Sequence, residues 1–114
     1  MSVFNGVFPI QAGKEADARA FAAETFGARR TDFEAHLERV GITRETWSLQ
    51  ETPMGSLMVV WFECGDVEKV FAHLATDDSE YTKWFRGRVL EVTGVDMAAP
   101  PESPLPTVLI DCGA

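Results

Sequence analysis

The sequence predicts an α+β domain, the class in which helices cover an antiparallel sheet. Two long stretches with helical spacing of apolar residues, at 14–40 and 66–94, alternate with shorter segments of strand spacing. One of these strand segments, residues 56–64, is apolar in both of its alternating rows. The rows are Leu57, Val59 and Trp61 on one face, and Met58, Val60 and Phe62 on the other. Both faces of this strand therefore require a cover.

Composition indicates a single domain over residues 1–114. Of the 114 residues, 46% are apolar and 25% are charged, so the chain can bury about two-thirds of its unfolded surface. The net charge of -8 disfavours nucleic acid and anionic membranes as partners. The longest apolar run, 57–62, is much shorter than the ~20 residues of a membrane span. We therefore expect a cytoplasmic protein.

The sequence carries no recognised pattern for a metal or cofactor. Its two cysteines, Cys64 and Cys112, form no Cys-x-x-Cys pair, and phosphate-loop, dinucleotide and His-Glu-x-x-His patterns are absent. We expect no disulfide, no metal and no cofactor. The two histidines, His36 and His73, each fall beside the apolar stripe of a predicted helix, which favours a solvated helix flank for both.

The N-terminal part is predicted to be a strand followed by a long helix. Residues 3–10 are rich in Val, Phe and Ile, and Asn5-Gly6 interrupts them in a way typical of a bulge or a close backbone approach. The helix begins at Lys14 and ends at Gly41, a favourable C-terminal cap. It would be about 40 Å long, against about 26 Å for an eight-residue strand.

Gly27 is the weak point of this helix. Thr31 and Glu34 have the spacing of a capping box, which could start a separate second half. The apolar spacing otherwise stays close to helical period across Gly27. We expect one kinked helix, with a break at Gly27 as the alternative.

A hairpin and a shorter helix follow. Residues 42–52 alternate in polarity, and residues 52–55 supply turn chemistry before the strand at 56–64. Asp66 then caps a helix with one apolar face. That face consists of Val67, Val70, Phe71 and Leu74. A helix this amphipathic is expected to pack on the sheet.

The second helical stretch is predicted to be bipartite. Asp77 and Glu80 have capping-box spacing, and a new apolar stripe continues from there to Gly94. Residues 98–106 contain four prolines and indicate an extended connector. Residues 107–112 are predicted to form the final strand.

The resulting order, β-α-β-β-α-β, is that of ferredoxin-like folds, with a four-stranded antiparallel sheet and both helical layers on one face. The final strand would then lie beside the first, and the strand at 56–64 would be interior. Its second apolar face would remain uncovered by helices. An identical sheet related by a two-fold axis is the simplest cover, so we expect a homodimer.

Several short motifs resemble those of a family of unknown function within the dimeric α+β barrel, ferredoxin-like superfamily. They span almost the whole chain and mostly mark helix boundaries. They are Gly13-Lys14, Arg29-Arg30 with Leu37, Gly41-Ile42, Glu45, Gly55-x-Leu57, Asp66 and Leu109-Ile110-Asp111. The resemblance implies subunits that pair sheet to sheet. The superfamily includes cofactor-independent monooxygenases, haem-using enzymes, lactone isomerases and ligand-binding regulatory domains, and no catalytic residue transfers by motif.

Arg30 is a charge at a position predicted to face the core. On a continuous helix it points in the same direction as Phe26, Phe33 and Leu37. An arginine placed there could bind a carboxylate or enolate of a ligand in a pocket between helices and sheet. The alternative is a structural ion pair or a snorkelling side chain, and a helix break at Gly27 removes the argument.

Other candidate site residues are aromatic or titratable. Trp47 and Trp84 could line an aromatic ligand pocket together with Trp61, Tyr81 and Phe33, although core or dimer packing is the commoner role of such residues. His73 and Tyr81 are candidates for moving a proton in catalysis, although a solvated histidine is the commoner finding.

Three functions remain open from the sequence. The first is a dimer that binds a small acidic or carbonyl ligand, with Arg30, Trp47 and Trp84 at the site. The second is a cofactor-independent oxygenase or isomerase in which His73 or Tyr81 moves a proton. The third is a structural or interaction dimer with a filled interior.

Overall fold

The computed structural model describes residues 1–113, which form one three-stranded antiparallel sheet and four helices. In chain order the elements are β1 (Ser2–Pro9), α1 (Glu15–Thr25), α2 (Arg30–Val40), β2 (Ile42–Thr52), β3 (Gly55–Cys64), α3 (Val67–Thr76) and α4 (Glu80–Thr93). The predicted α+β class is confirmed.

β3 is the central strand of the sheet, as the sequence predicted. The strand order is β1-β3-β2, and both neighbours run antiparallel to β3. The register places Phe62 of β3 between Phe4 of β1 and Glu45 of β2. One row of β3 side chains and its neighbours on the outer strands therefore define a common inner face of the sheet.

The core lies between this inner face and the helices. The strands contribute Phe4, Ile42, Met58, Phe62 and Cys64, and the helices contribute Ala18, Phe21, Phe33, Val70, Leu74, Tyr81, Phe85, Val89 and Val92. All of these side chains are at most 8% exposed. Cys64 and Cys112 are both free thiols, the first buried and the second exposed.

The first helical stretch is two helices, so the prediction of one kinked helix is wrong. α1 ends at Thr25, and α2 begins four residues after Phe26, at Arg30. A Cβ on Gly27 would lie 2.6 Å from the carbonyl oxygen of Ala23, so the backbone of this turn folds back closely on α1. Arg29, rather than the predicted Thr31, occupies the N-cap position of α2.

The second helical stretch is bipartite, as predicted, but its cap differs. Asp66 caps α3 by accepting a hydrogen bond from the Lys69 N–H. Ser79, not Asp77, is the N-cap of α4 and accepts from the Thr82 N–H. Asp77 instead accepts hydrogen bonds from the hydroxyls of Ser79 and Thr82, which lower the pKa of Asp77 to about 2.

The C-terminal segment corrects the predicted topology. Residues 98–106 form neither helix nor strand, in agreement with an extended connector. Residues 107–112 also form no strand in the single chain, so the sheet has three strands within residues 1–113 and not the predicted four. A strand requires a neighbour to share its backbone hydrogen bonds, and this segment has no such neighbour within residues 1–113.

The outer face of the sheet carries the second apolar row of β3. Leu57, Val59 and Trp61 are half-buried, and none of them belongs to the core that the helices cover. On β1, Val7 lies beside Val59 and is 60% exposed. This face combines apolar side chains from two strands with no helix over them.

Two glycines give a matched test of the packing. A Cβ on Gly6 would lie 2.3 Å from the ring of Phe4, which is itself held between Phe62 and Phe71. Gly6→Ala is expected to lower the free energy of unfolding by about 1–3 kcal/mol, because the ring cannot move aside without disturbing the core.

Gly87→Ala is the control. Gly87 is exposed in the middle of α4, and a Cβ there meets no atom within 4 Å. This change should raise the free energy of unfolding by about 0.5–1 kcal/mol, since alanine favours the helix. Urea titrations of both variants measure the two effects, and a neutral Gly6→Ala would contradict the packing at β1.

Candidate functional site

A cavity of about 70 Å³ lies between the helices and the inner face of the sheet. Most of its wall is apolar and comes from all three strands and all four helices. Its polar side chains are His36, Glu45 and Thr93. The Thr93 hydroxyl is already bonded to the Val89 carbonyl and the Val95 N–H, which leaves His36 and Glu45 as the groups able to meet a ligand.

A β-bulge turns Glu45 into the cavity. Ile42 pairs with Cys64 and Glu45 pairs with Phe62. Between these two pairs β2 contains one more residue than β3. The irregularity lies between Ile42 and Arg44. Without it, strict alternation from the inward Ile42 would place residue 44 inside and residue 45 outside. The bulge therefore exchanges an arginine for a glutamate on the cavity wall.

Among the described residues, the carboxyl of Glu45 accepts one hydrogen bond, from the indole N–H of Trp47 to Oε2 at 2.5 Å. No lysine or arginine lines the cavity in the described part of the chain. Burial in this apolar setting raises the pKa of Glu45 to about 7, and the Trp47 hydrogen bond opposes the rise only in part. Near neutral pH this carboxyl is present both as a hydrogen-bond donor and as an acceptor.

Trp47 lines the cavity, where the sequence expected an aromatic wall. Its ring contacts those of Phe21, Phe33 and Phe85, with centroid separations between 5.2 and 6.0 Å. These contacts fix the indole and, through its N–H, the orientation of the Glu45 carboxyl.

His36 is buried in the cavity wall, so the prediction of a solvated flank is wrong for this residue. It is 4% exposed, and desolvation lowers its pKa to about 4, which keeps the ring neutral near pH 7. Phe33, His36, Leu37 and Val40 follow one another at helical spacing on one face of α2, so His36 lies within the apolar stripe and not beside it. The same spacing is present in the sequence, where His36 was assigned to the flank of the stripe.

His73 and Tyr81 lie behind His36 and do not line the cavity. Their ring centroids are 5.7 and 5.9 Å from that of His36. His36 Nδ1, His73 Nε2 and the Tyr81 hydroxyl are all buried without a hydrogen-bond partner. Burial, with the nearby charge of Glu45, raises the pKa of Tyr81. Neither candidate proton carrier therefore reaches the cavity directly.

Arg30 lies outside the cavity, and the prediction that it faces the core is wrong. Its side chain is 53% exposed, lies 3.7 Å from Glu34 and stacks on Phe26 at 4.1 Å. The turn at 26–29 separates Phe26 from α2, and the buried residues of α2, Phe33 and His36, lie to one side of Arg30, the first residue of that helix. An exposed pair of this kind contributes little to stability.

The neighbouring Arg29 is the less exposed of the two arginines, and its contacts are structural. Its guanidinium lies 4.5 Å from the Trp84 ring centroid and donates hydrogen bonds to Glu80 and Asp32. The hydrogen bonds from Arg29 lower the pKa of Glu80. The carboxylates of Glu80 and Asp32 in turn raise the pKa of Arg29. Trp84 packs on Phe21 and Tyr81 beneath this arginine and is not part of the cavity wall.

The cavity can hold a small, mostly apolar molecule through one or two hydrogen bonds.

Among residues 1–113, no three His, Cys, Asp or Glu side chains are placed to bind a metal ion. No helix in the same part of the chain is long and apolar enough to cross a membrane.

Glu45 and His36 predict opposite effects of pH on stability. The pKa of folded Glu45, about 7, is above its ordinary value of 4.5, so its contribution is present at low pH and is lost as the pH rises through 7. The pKa of folded His36, about 4, is below its ordinary value of 6.5, so its contribution is present above pH 6.5 and is lost as the pH falls toward 4. The two effects nearly cancel in the unmodified protein.

Single substitutions should separate them. Between about pH 7.5 and pH 5, Glu45→Gln should lose about 2 kcal/mol of unfolding free energy relative to the unmodified protein, and His36→Gln should gain about 2 kcal/mol. Urea unfolding at each pH measures both. Glu51→Gln, an exposed change in the same strand, should follow the unmodified protein. Parallel pH profiles for all four proteins would contradict the burial of Glu45 and His36.

Comparison with protein-family models, curated proteins and solved structures gave no match. The resemblance to a dimeric α+β barrel family therefore stays a prediction. The function has to be argued from the geometry of the cavity.

Proposed function

We propose that this protein binds a small, neutral, mostly apolar molecule with one carbonyl or hydroxyl group, as a homodimer. The observation that carries the proposal is the Glu45 carboxyl in a mostly apolar cavity, with Trp47 as its one hydrogen-bond donor among the described residues. Apolar cavities with a few placed polar groups are the usual form of small-molecule sites. Glu45 and His36 are the polar groups here.

The charges around the cavity favour a neutral ligand. The sequence suggested an acidic or carbonyl ligand, but the acidic class depended on Arg30, which is exposed. With Glu45 in the wall, no cation beside it and a net charge of -8, a carboxylate ligand would meet repulsion. A carbonyl group could instead accept a hydrogen bond from protonated Glu45.

The size of the cavity limits the ligand. Its volume of about 70 Å³ is smaller than the ~150 Å³ of an engineered apolar cavity that binds benzene. The group that enters is therefore smaller than a benzene ring, either as a whole molecule or as the apolar end of a larger one.

Three molecules of one shape test the hydrogen bond. Butan-2-one and butan-2-ol should bind, with millimolar dissociation constants, and 2-methylbutane should bind at least about tenfold more weakly because it can form no hydrogen bond with Glu45. Saturation-transfer NMR or competition measures the affinities. Butan-2-one should bind more tightly below pH 7, where Glu45 is protonated.

Variants make the test specific. Val60→Leu fills the cavity from β3 and should abolish binding, whereas Arg30→Ala, at an exposed position, should leave binding unchanged. Native mass spectrometry of the purified protein should show a bound small molecule that is absent from Val60→Leu. If none of the three probes binds and native mass spectrometry shows no bound molecule, the third possibility, a structural dimer, is favoured.

Proton transfer is a second candidate function, and the pKa of Glu45 favours it. A half-buried carboxyl with a pKa of about 7 suits general acid–base catalysis at neutral pH. Glu45 takes the place that the sequence suggested for His73 or Tyr81. In D₂O, an enzyme of this type would exchange the protons next to the carbonyl of butan-2-one, and Glu45→Gln would not. Binding without exchange supports the binding function alone.

The outer face of the sheet supports the homodimer. Leu57, Val59 and Trp61 lie in one row with Val7 beside them, and none of them belongs to the core that the helices of residues 1–113 cover. Two copies related by a two-fold axis would cover both rows at once.

Light scattering should give a dimer at micromolar concentration. Val59→Glu places a charge in the centre of the outer face and should shift the protein to monomer. Leu90→Glu is the control, because Leu90 is exposed on α4 and on the helical side of the domain. A monomeric unmodified protein would refute the proposed dimer.

A further inference from the structure

The C-terminal segment 107–112 exposes apolar side chains to solvent. Leu109 is 90% exposed, Ile110 85% and Val108 45%. The sequence Thr-Val-Leu-Ile is typical of a strand, yet the segment has no strand partner within residues 1–113. A contiguous apolar segment of this kind indicates a surface that is covered by something else.

β1 offers an unpaired edge of matching character. Its backbone pairs with β3 on one side only within the described residues. The strand has no charged side chain, and its single proline, Pro9, is its last residue. Proteins usually protect a free edge with charges, proline or a covering element, so the edge of β1 is open to another strand.

We propose that residues 107–112 of one copy add to the free edge of β1 in a second copy, as the fourth strand of that copy's sheet. This exchange rests on the proposed homodimer and adds reciprocal strand pairing to it. Backbone hydrogen bonds would supply affinity, and alternate side chains would enter the two faces of the sheet.

The length of the connector favours a second copy over the same chain. The end of α4 already lies beside the end of β1, where the Gln11 N–H donates to the Val92 carbonyl at 2.9 Å. A strand of the same chain could start there after a short loop of about 4–6 residues. Instead the proline-rich residues 98–106 intervene, and an extended segment of this length spans about 28 Å. Such a spacer carries the final segment away from its own β1.

An antiparallel register satisfies both faces. With Ile110 opposite Gly6, Val108 lies opposite Phe8 and Cys112 opposite Phe4, on the inner face of the sheet. Leu109 then lies opposite Val7, which is 60% exposed, on the outer face. Asp111 lies opposite Asn5, and both are polar and exposed.

A disulfide between the last pair tests the exchange. Asn5→Cys and Asp111→Cys are combined in a full chain that also carries Cys112→Ser, and the remaining Cys64 is buried with a raised pKa. Opposed residues of an antiparallel pair have Cα atoms about 4.5–5.5 Å apart, within the range of a disulfide. After mild oxidation we expect a covalent dimer on a non-reducing gel.

The other outcomes overturn the proposal. A disulfide within one chain would show that the segment pairs with its own β1, and an absent disulfide would show that it does not pair there. Each single-cysteine variant should remain unlinked, and an equal yield of covalent dimer from Asp111→Cys alone would attribute the link to collision. Light scattering on the unmodified protein distinguishes failure of the strand exchange from failure of the homodimer. If the unmodified protein is a dimer but the double-cysteine variant forms no disulfide, only the exchange is refuted. If the unmodified protein is a monomer, both proposals are refuted.

A second variant does not depend on cysteine chemistry. Ile110→Asp should raise the dimer dissociation constant by at least about tenfold, since two buried isoleucines are lost per dimer. Leu105→Asp, in the connector, should leave it unchanged. Because residue 110 lies outside the helical core, the variant is expected to fold, and circular dichroism checks this. An unchanged constant for Ile110→Asp would refute the exchange.

Discussion

The apolar character of both faces of β3 is the constraint on which the rest of the structure depends. Its inner row, which includes Met58 and Phe62, is covered by all four helices and forms the floor of the core. Its outer row, centred on Val59, has no cover within residues 1–113. A central strand is held on both edges by backbone hydrogen bonds, so it cannot rotate to hide the outer row. The same strand thus lines the cavity on one face and presents an uncovered apolar row on the other.

A local irregularity decides which side chains of β2 reach the cavity. The bulge after Ile42 turns Glu45 inward and Arg44 toward the outer face. On α2, regular helical spacing is enough: the buried face runs through Phe33 and His36, and Arg30, the first residue of the helix, lies to one side of it and is exposed. No arginine therefore lines the cavity in the described part of the chain.

Sequence patterns predicted the features that depend on spacing and end signals. The α+β class, the central position of β3, the Asp66 cap and the division between α3 and α4 all follow from alternation and capping residues. The site was not predictable in the same way, because a one-residue bulge leaves no mark in the composition of β2. Trp47 was found as an aromatic at strand spacing, whereas Glu45 appeared only among the motifs of the family resemblance. The last segment has strand composition, but composition does not specify which edge a strand joins.

The energetic cost of Glu45 is the strongest argument that the cavity has a function. Shifting its pKa from 4.5 to about 7 means that ionised Glu45 costs the folded state about 3 kcal/mol. A leucine at this position would avoid that cost and would fill part of the cavity. His36, on the same wall, leaves Nδ1 buried without a partner, which is a second cost at the same place. A stable fold that keeps two such groups beside one cavity gives up stability where a ligand could restore it, and such local conflicts are characteristic of functional sites.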